Sequence, residues 1–234
     1  MKKLLCFDLD GTLTQHRSPL EEKNRNVLDK LSKKYKLIMV GAGNAPRIYQ
    51  QMGEYPIDII ANYGMQESKM IDGKFTIVRE VITSPDKAYF LEKIEYLRQK
   101  YGYTNYKGET VEFHATGMVT FPLLGTKADI EDKLAFDPTR EKRKVLYPEV
   151  LRLFPDYTVY IGGSSSFDFT AKQYNKYDAI LSYAKEHGYQ QDEILYIGDD
   201  FGDGGGDSHI RLGGMDYIEI TDYTKTEEAL AHLL

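Results

Sequence analysis

Leu4-Leu5-Cys6-Phe7 is an unbroken apolar run, and Asp8-Leu9-Asp10-Gly11-Thr12-Leu13-Thr14 follows it directly. Four apolar residues without alternation read as a strand buried on both faces. Two carboxylates one residue apart therefore stand where that strand ends, and Gly11 lets the backbone turn sharply behind them. One aspartate of such a pair can act as a nucleophile while the other gives and takes a proton. A magnesium ion would screen their mutual repulsion and that of an incoming phosphate. The segment carries the equipment for phosphoryl transfer. A calcium loop is a poor alternative, because it wants glycine sixth and glutamate twelfth. Here glycine is fourth and the twelfth residue is Pro19.

The same pattern recurs along the chain. Leu20 to Lys34 reads as an amphipathic helix through Leu20, Val27, Leu28 and Leu31. Leu37-Ile38-Met39-Val40 is a second apolar strand, closed by Gly41-Ala42-Gly43-Asn44, and a helix is expected from Ala45 to Met52. Ile57 to Ile60 is a third strand. This order predicts a parallel sheet covered on both faces, with ligands beyond the carboxyl ends of its strands. Asp8, Asp10 and Gly41 to Asn44 fall at that edge.

The pattern changes near residue 82. Asp86 to Tyr101 reads as a helix, and Thr110 to His114 and Gly117 to Phe121 alternate as antiparallel strands do. A charged helix is expected from Asp137 to Phe154, opened by the Asp137-Pro138 pair, and strands at Tyr157–Ile161 and Phe167–Thr170. Residues 82–186 thus read as an α+β domain inserted into an α/β domain made of 1–81 and 187–234. The parallel pattern returns with Ile194 to Ile197, Tyr217 to Ile220 and a closing helix from Lys225.

Composition narrows the function classes. The lone cysteine, Cys6, lies in the first strand and forms no internal disulfide. The apolar stretch at the start ends at Asp8, too early for a signal peptide, and nothing approaches the roughly 18 apolar residues of a membrane span. A cytoplasmic protein without a membrane partner is expected. The net charge of −6 and the absence of a basic, aromatic-interleaved cluster argue against nucleic acid as a partner.

Gly198-Asp199-Asp200-Phe201-Gly202-Asp203-Gly204-Gly205-Gly206-Asp207 again follows an apolar strand. Its glycines let the backbone approach a ligand, and its aspartates suit a hard cation. A flexible acidic turn or one calcium-binding glycine repeat is the alternative, but the repeat needs tandem copies.

These segments together resemble the haloacid dehalogenase superfamily. The resemblance implies a Rossmann-like core and assigns Asp8 as nucleophile and Asp10 as acid and base. Asp8, Asp10, Asp199 and Asp207 would then form the magnesium site. It extends through the insertion, where Val111 to His114, Gly117-Met118, Leu124-Gly125, Glu131 to Phe136 and Gly162 to Asp168 look like the cap of eukaryotic-type phosphomannomutases. Asn175-Lys176 falls on that family's Trp-Asp-Lys and nominates Lys176 to steady the phosphoryl group. By the same likeness Gly43, Asn44 and Arg17 would contact phosphate, and Ser166 and Asp168 the sugar. Members of that family pair through their caps, which leaves a homodimer open here.

The departures bear on function. Where the mutases carry cap arginines that grip the phosphate not being transferred, this chain has His114, Thr126 and Lys133. A second-loop serine is Gly43, and Ser208 to Asp216 lack the acidic-proline segment that binds a second cation. A mutase must hold a bisphosphorylated intermediate, whereas a phosphatase needs only the aspartyl-phosphate and water. The expectation is a magnesium-dependent phosphatase acting on a small phosphorylated sugar or polyol. A phosphohexomutase and a non-catalytic sugar-phosphate binder are the alternatives.

Overall fold

A computed structural model describes residues 1–234 and divides into two compact units, Met1–Val81 with Tyr174–Leu234, and Ile82–Gln173. The first unit is built on a seven-stranded sheet. Its strands are β1 (Leu4–Phe7), β2 (Lys36–Val40), β3 (Asp58–Ala61), β4 (Gln66–Ile71), β5 (Lys74–Glu80), β10 (Ile194–Gly198) and β11 (Tyr217–Glu219). Their spatial order is β11-β10-β1-β2-β3-β4-β5. Strands β11, β10, β1, β2 and β3 are parallel neighbours, with Phe7 opposite Ile197 on one side and Met39 on the other.

Each apolar run is continuous because both sheet faces are covered. Leu5, Phe7, Leu37, Met39 and Ile59 join one core cluster, to which α1 (Glu22–Leu31), α2 (Ala45–Gln51) and the loop after α8 (Thr226–Ala229) add Val27, Leu28, Ala45, Ile48 and Leu230. The alternating residues Leu4, Cys6, Ile38, Val40 and Ile60 join a second cluster. There α6 (Lys176–Glu186) contributes Ala179, Ile180, Tyr183 and Ala184, and α7 (Ser208–Leu212) contributes Ile210. The period-two alternation of strand side chains assigns each residue to its face.

Two expectations need correction. The sheet is mixed, because β4 and β5 form an antiparallel hairpin at its edge. Its turn, Asp72-Gly73, has positive φ at both residues (49° and 74°), as a two-residue hairpin turn requires. The second unit boundary also falls at Gln173, not Glu186, since the apolar face of α6 packs on the first unit's sheet.

The second unit carries a four-stranded antiparallel sheet of order β6-β7-β9-β8: β6 (Glu112–Phe113), β7 (Val119–Pro122), β8 (Tyr157–Tyr160) and β9 (Ser166–Ala171). One face bears Val119, Phe121, Phe167 and Phe169 and packs on α3 (Lys87–Tyr101) and α5 (Glu141–Leu153). α3 starts where Asp86 accepts the Tyr89 N–H and stops at left-handed Gly102. Its Phe90, Ile94 and Leu97 lie at helical spacing, and Phe90 stacks on Phe154 at 4.8 Å. A short helix, α4 (Ile130–Phe136), precedes α5.

α5 begins four residues later than Asp137-Pro138 implied, because Asp137 caps it from upstream. Its carboxylate accepts the N–H groups of Lys142 and Arg143 at 3.0 Å each and pairs with Arg143 Nε at 2.9 Å. Arg143 also donates to the carbonyls of Gly162 and Gly163, which ties the helix to the loop before β9. Both side chains are almost fully buried. Burial raises the Asp137 carboxyl, but Arg143 and the two N–H groups outweigh it and hold it below the usual carboxylate range. Asp137→Ala strips the carboxylate from a buried guanidinium and should cost about 3–5 kcal/mol in urea unfolding at neutral pH. The wild-type contribution is complete above the unfolded carboxylate value of about 3.9 and is lost as pH falls through the lower folded value. The gap between variant and wild type should therefore close in acid.

Candidate active site

The parallel register brings the loops after β1, β2 and β10 to one edge of the sheet. Asp8 N–H donates to the Ile197 carbonyl at 2.8 Å, which sets the first aspartate beside Gly198. Gly11 turns the chain at φ 95°, and a Cβ there would lie 2.4 Å from Asp199 Oδ2. Only glycine lets the first loop lie this close to the Asp199 carboxylate. Thr12 Oγ1 donates to Asp199 Oδ1 at 2.9 Å and fixes that carboxylate against the first loop.

Lys176 binds the parts together. It opens α6, whose N-cap Asn175 accepts the Asp178 N–H at 2.9 Å. Its ammonium is buried and donates to Asp8 Oδ1 and Asp207 Oδ1, both at 2.7 Å, with the Tyr196 hydroxyl at 3.2 Å. Tyr196 donates in turn to Asp207 Oδ1 at 2.6 Å, and the Asp199 and Asp200 N–H groups donate to Asp207 Oδ2 at 3.2 and 3.1 Å. Asp207 thus has both oxygens engaged and sets the position of the Asp199 loop and of Lys176.

The charges follow from burial. Desolvation pushes the Asp8 carboxyl up to about 7 against the pull of Lys176, with Asp207 adding to the rise. Asp199 is pushed up to about 8 by burial and by the neighbouring Asp8 and Asp207. Burial pulls the Lys176 ammonium down, but Asp207 and Asp8 outweigh it and hold it above its ordinary value. With one lysine among the three acids, ionisation of Asp8 and Asp199 leaves negative charge uncompensated.

Oxygens of Asp8, Asp199 and Asp207 all lie within 4.8 Å of one another. A hard divalent cation such as magnesium fits this donor set, and the glycine cradle at Gly11 leaves the carboxylates uncovered. Asp8 and Asp199 would hold it, with Asp207 orienting them. When bound it would neutralise charge on a phosphoryl oxygen.

Asp10 stands outside that group. Its Oδ1 accepts from Arg17 N–H and Gln51 Nε2, both at 2.7 Å, and its Oδ2 pairs with Arg47 at 3.3 Å. Burial raises its carboxyl, but His16, Arg47, Gln51 and Arg17 N–H together hold it below the usual range. The expectation that the Asp10 carboxylate joins the cation site is not what the geometry shows. Asn44 caps α2 through the Arg47 N–H at 2.9 Å, and the Arg47 guanidinium covers Gly43. The Arg17 side chain is exposed. Ser166 and Asp168 lie in the second unit: Ser166 Oγ donates to the Gly162 carbonyl at 3.0 Å, and Asp168 Oδ1 accepts from Thr120 at 2.7 Å.

Sequence reading missed Arg47, Gln51 and Tyr196 and gave Thr12 no partner. Arg47 and Gln51 are four apart on one helix, so they share a face, and that spacing was the available signal. Tyr196 sits inside an apolar run, where its hydroxyl required a buried partner.

Magnesium binding should release protons near neutral pH, because Asp8 and Asp199 must ionise to ligate it. Calorimetry in buffers of different ionisation enthalpy should show this release, with affinity rising as pH increases through 7 to 8. Asp207→Asn should weaken magnesium binding about 10–100-fold. Equal affinity in the variant would contradict the orienting function given to Asp207.

Comparison with known proteins identifies the family and the fold. The family described as haloacid dehalogenase-like hydrolase matches residues 81–204. Phosphomannomutase of Saccharomyces cerevisiae is 27% identical over 221 residues, covering 88% of this chain and 84% of that protein. Among solved structures, an N-terminally truncated IMP-nucleotidase of Plasmodium falciparum superposes with a TM-score of 0.73 at 16% identity, over 100% of this chain and 70% of that one. A HAD subclass IIB sugar phosphatase gives 0.63 at 15% identity, over 100% of both chains. The chain belongs to the haloacid dehalogenase-like hydrolases, a family of phosphatases and phosphomutases, and stands close to the phosphomannomutases within it.

Proposed function

We propose that this protein is a magnesium-dependent phosphatase that hydrolyses a small phosphorylated sugar or polyol through an aspartyl-phosphate. In this reading Asp8 attacks the phosphorus and Asp10 gives a proton to the departing sugar oxygen. Asp10, left as a carboxylate, then takes a proton from the water that attacks the aspartyl-phosphate, which releases inorganic phosphate, frees the Asp8 carboxylate and returns Asp10 to its protonated form. Lys176 holds Asp8 in place and offsets the added charge. Arg17, Gly43 and Asn44 line the path of the phosphate, and Ser166 and Asp168 contact the sugar.

One observation carries hydrolysis over mutation. Each group standing where the mutases carry a cap arginine is engaged inside the second unit. His114 Nε2 is 2.9 Å from Thr120 Oγ1, Thr126 Oγ1 accepts the Glu109 N–H at 2.9 Å, and Lys133 donates to the Thr126 carbonyl at 3.1 Å. The sheet face opposite the apolar core repeats the point. Glu112, Thr120, Asp168 and Tyr160 stand in one cross-strand row, which carries two carboxylates and no cation. A row of this composition can hydrogen-bond hydroxyls and offers no charge to a phosphate dianion. The phosphomannomutase relatives support the sugar phosphate as substrate class, and they are also what favours the mutase alternative.

Purified protein with magnesium should release inorganic phosphate from mannose 1-phosphate or glucose 1-phosphate. Asp8→Asn should reduce that release to background while the variant keeps its melting temperature or gains on it, since a buried acid is replaced by a neutral amide. Unchanged turnover in Asp8→Asn would sink the aspartyl-phosphate mechanism. His114→Arg combined with Thr126→Arg should tighten binding of a sugar bisphosphate over the monophosphate by about tenfold or more, as expected of an added charged hydrogen-bond donor.

A further inference from the structure

The loop after β2 carries no hydroxyl, and the first turn of α2 offers no open donor. Ala45 N–H donates to Gln66 Oε1 at 2.7 Å, Pro46 has no N–H, and Arg47 N–H donates to Asn44 Oδ1 at 2.9 Å. The site is also short of positive charge. Asp8, Asp10, Asp199, Asp200 and Asp207 converge on it, and the Lys176 ammonium is already shared among Asp8, Asp207 and Tyr196. A phosphoryl group brought beside Asp8 adds further negative charge.

Arg47 is the guanidinium that reaches this edge. Its side chain is 36% exposed, and its single ion pair, to Asp10 Oδ2, is long at 3.3 Å. Gln51 holds it in place: Arg47 Nη1 donates to Gln51 Oε1 at 2.9 Å, and Gln51 Nε2 donates to Asp10 Oδ1 at 2.7 Å. The guanidinium lies across the Cα of Gly43. A Cβ built there would stand 2.1 Å from one Arg47 Nη and 2.4 Å from its Nε. Gly43 has no positive φ to explain its glycine. The space beside it is what the residue provides.

We propose that Arg47 grips the non-bridging oxygens of the phosphoryl group, and that Gly43 is glycine so that this guanidinium can lie over the loop. The inference rests on the reading of Asp8 as the acceptor of a phosphoryl group. A planar guanidinium offers two parallel donors to two phosphate oxygens, which an ammonium does not. Moving from Asp10 to phosphate, Arg47 exchanges one long ion pair for a forked one. The same movement uncovers Asp10 Oδ2 toward the reacting oxygen. Gln51 keeps Asp10 in place meanwhile through Oδ1.

The test is calorimetric binding of inorganic phosphate in the presence of magnesium, alongside phosphate release from a sugar 1-phosphate. Arg47→Ala should weaken phosphate binding at least tenfold, and Arg47→Lys should retain part of the affinity. Gly43→Ser should itself weaken binding, because its side chain displaces the guanidinium. Placed on Arg47→Ala, Gly43→Ser should cost nothing more and recover part of the affinity, since the hydroxyl then enters vacated space. A structural contact between Arg47 and Asp10 alone predicts no such recovery. Phosphate binding within twofold of wild type in Arg47→Ala, no measurable phosphate binding by the wild type, or an unaffected Gly43→Ser would each overturn the proposal. Failure of the Asp8 reading shows separately, as turnover that persists in Asp8→Asn.

Discussion

The site depends on one buried ammonium. Lys176 is bonded to Asp8, 168 residues away in sequence, and to Asp207, 31 residues away. Its position at the first turn of α6 works against the helix dipole, which favours anions there. Withdrawing an ammonium and two carboxylates from water costs several kcal/mol per ion before their attraction offsets it. A sequence selected for stability alone would place an apolar residue here. The lysine gathers the ends of β1 and β10 around one point and holds Asp8 there through Oδ1.

The rest of the first unit can be understood as support for that arrangement. Parallel pairing of β1 with β10 and β2 brings three loops to one edge, and their apolar runs make the strands rigid. Asp207 then uses both its oxygens to fix Lys176, Tyr196 and the backbone of Asp199 and Asp200. The residues with open chemistry, Asp8 and Asp199, are those whose carboxyls burial and mutual repulsion raise. Positioning and reactivity are divided among neighbouring aspartates of the two loops that follow β1 and β10.

Much of this was legible in the chain. Apolar tetrads closed by Asp or Gly marked β1, β2 and β10, because strands buried on both faces cannot alternate. The paired aspartates and the glycine-rich acidic segment marked the site for the same reason, since each closes a strand. The β4–β5 hairpin was missed, although Asp72-Gly73 is a hairpin turn signal. Its partly exposed residues carry no strong apolar run to attract attention. The boundary at Glu186 left the residues of α6 in the inserted domain, because no helix was read there and nothing in that stretch names the sheet it packs on. Arg47 and Gln51 stayed hidden because a polar helix face reads as solvated until the neighbouring strand end is known. In the second unit, Asp137 was recognised as a cap, but its reach to the N–H groups of Lys142 and Arg143 placed the helix start later than the Asp-Pro pair implied.

The central claim is that water, and not a second sugar hydroxyl, receives the phosphoryl group from Asp8. The direct measurement is phosphorus NMR of glucose 1-phosphate or mannose 1-phosphate with magnesium, enzyme and a trace of the matching bisphosphate in water enriched in heavy oxygen. Inorganic phosphate that grows in with one heavy oxygen, and no 6-phosphate, is the predicted result. Accumulation of 6-phosphate without labelled inorganic phosphate would contradict the account and show that the enzyme returns the group to sugar.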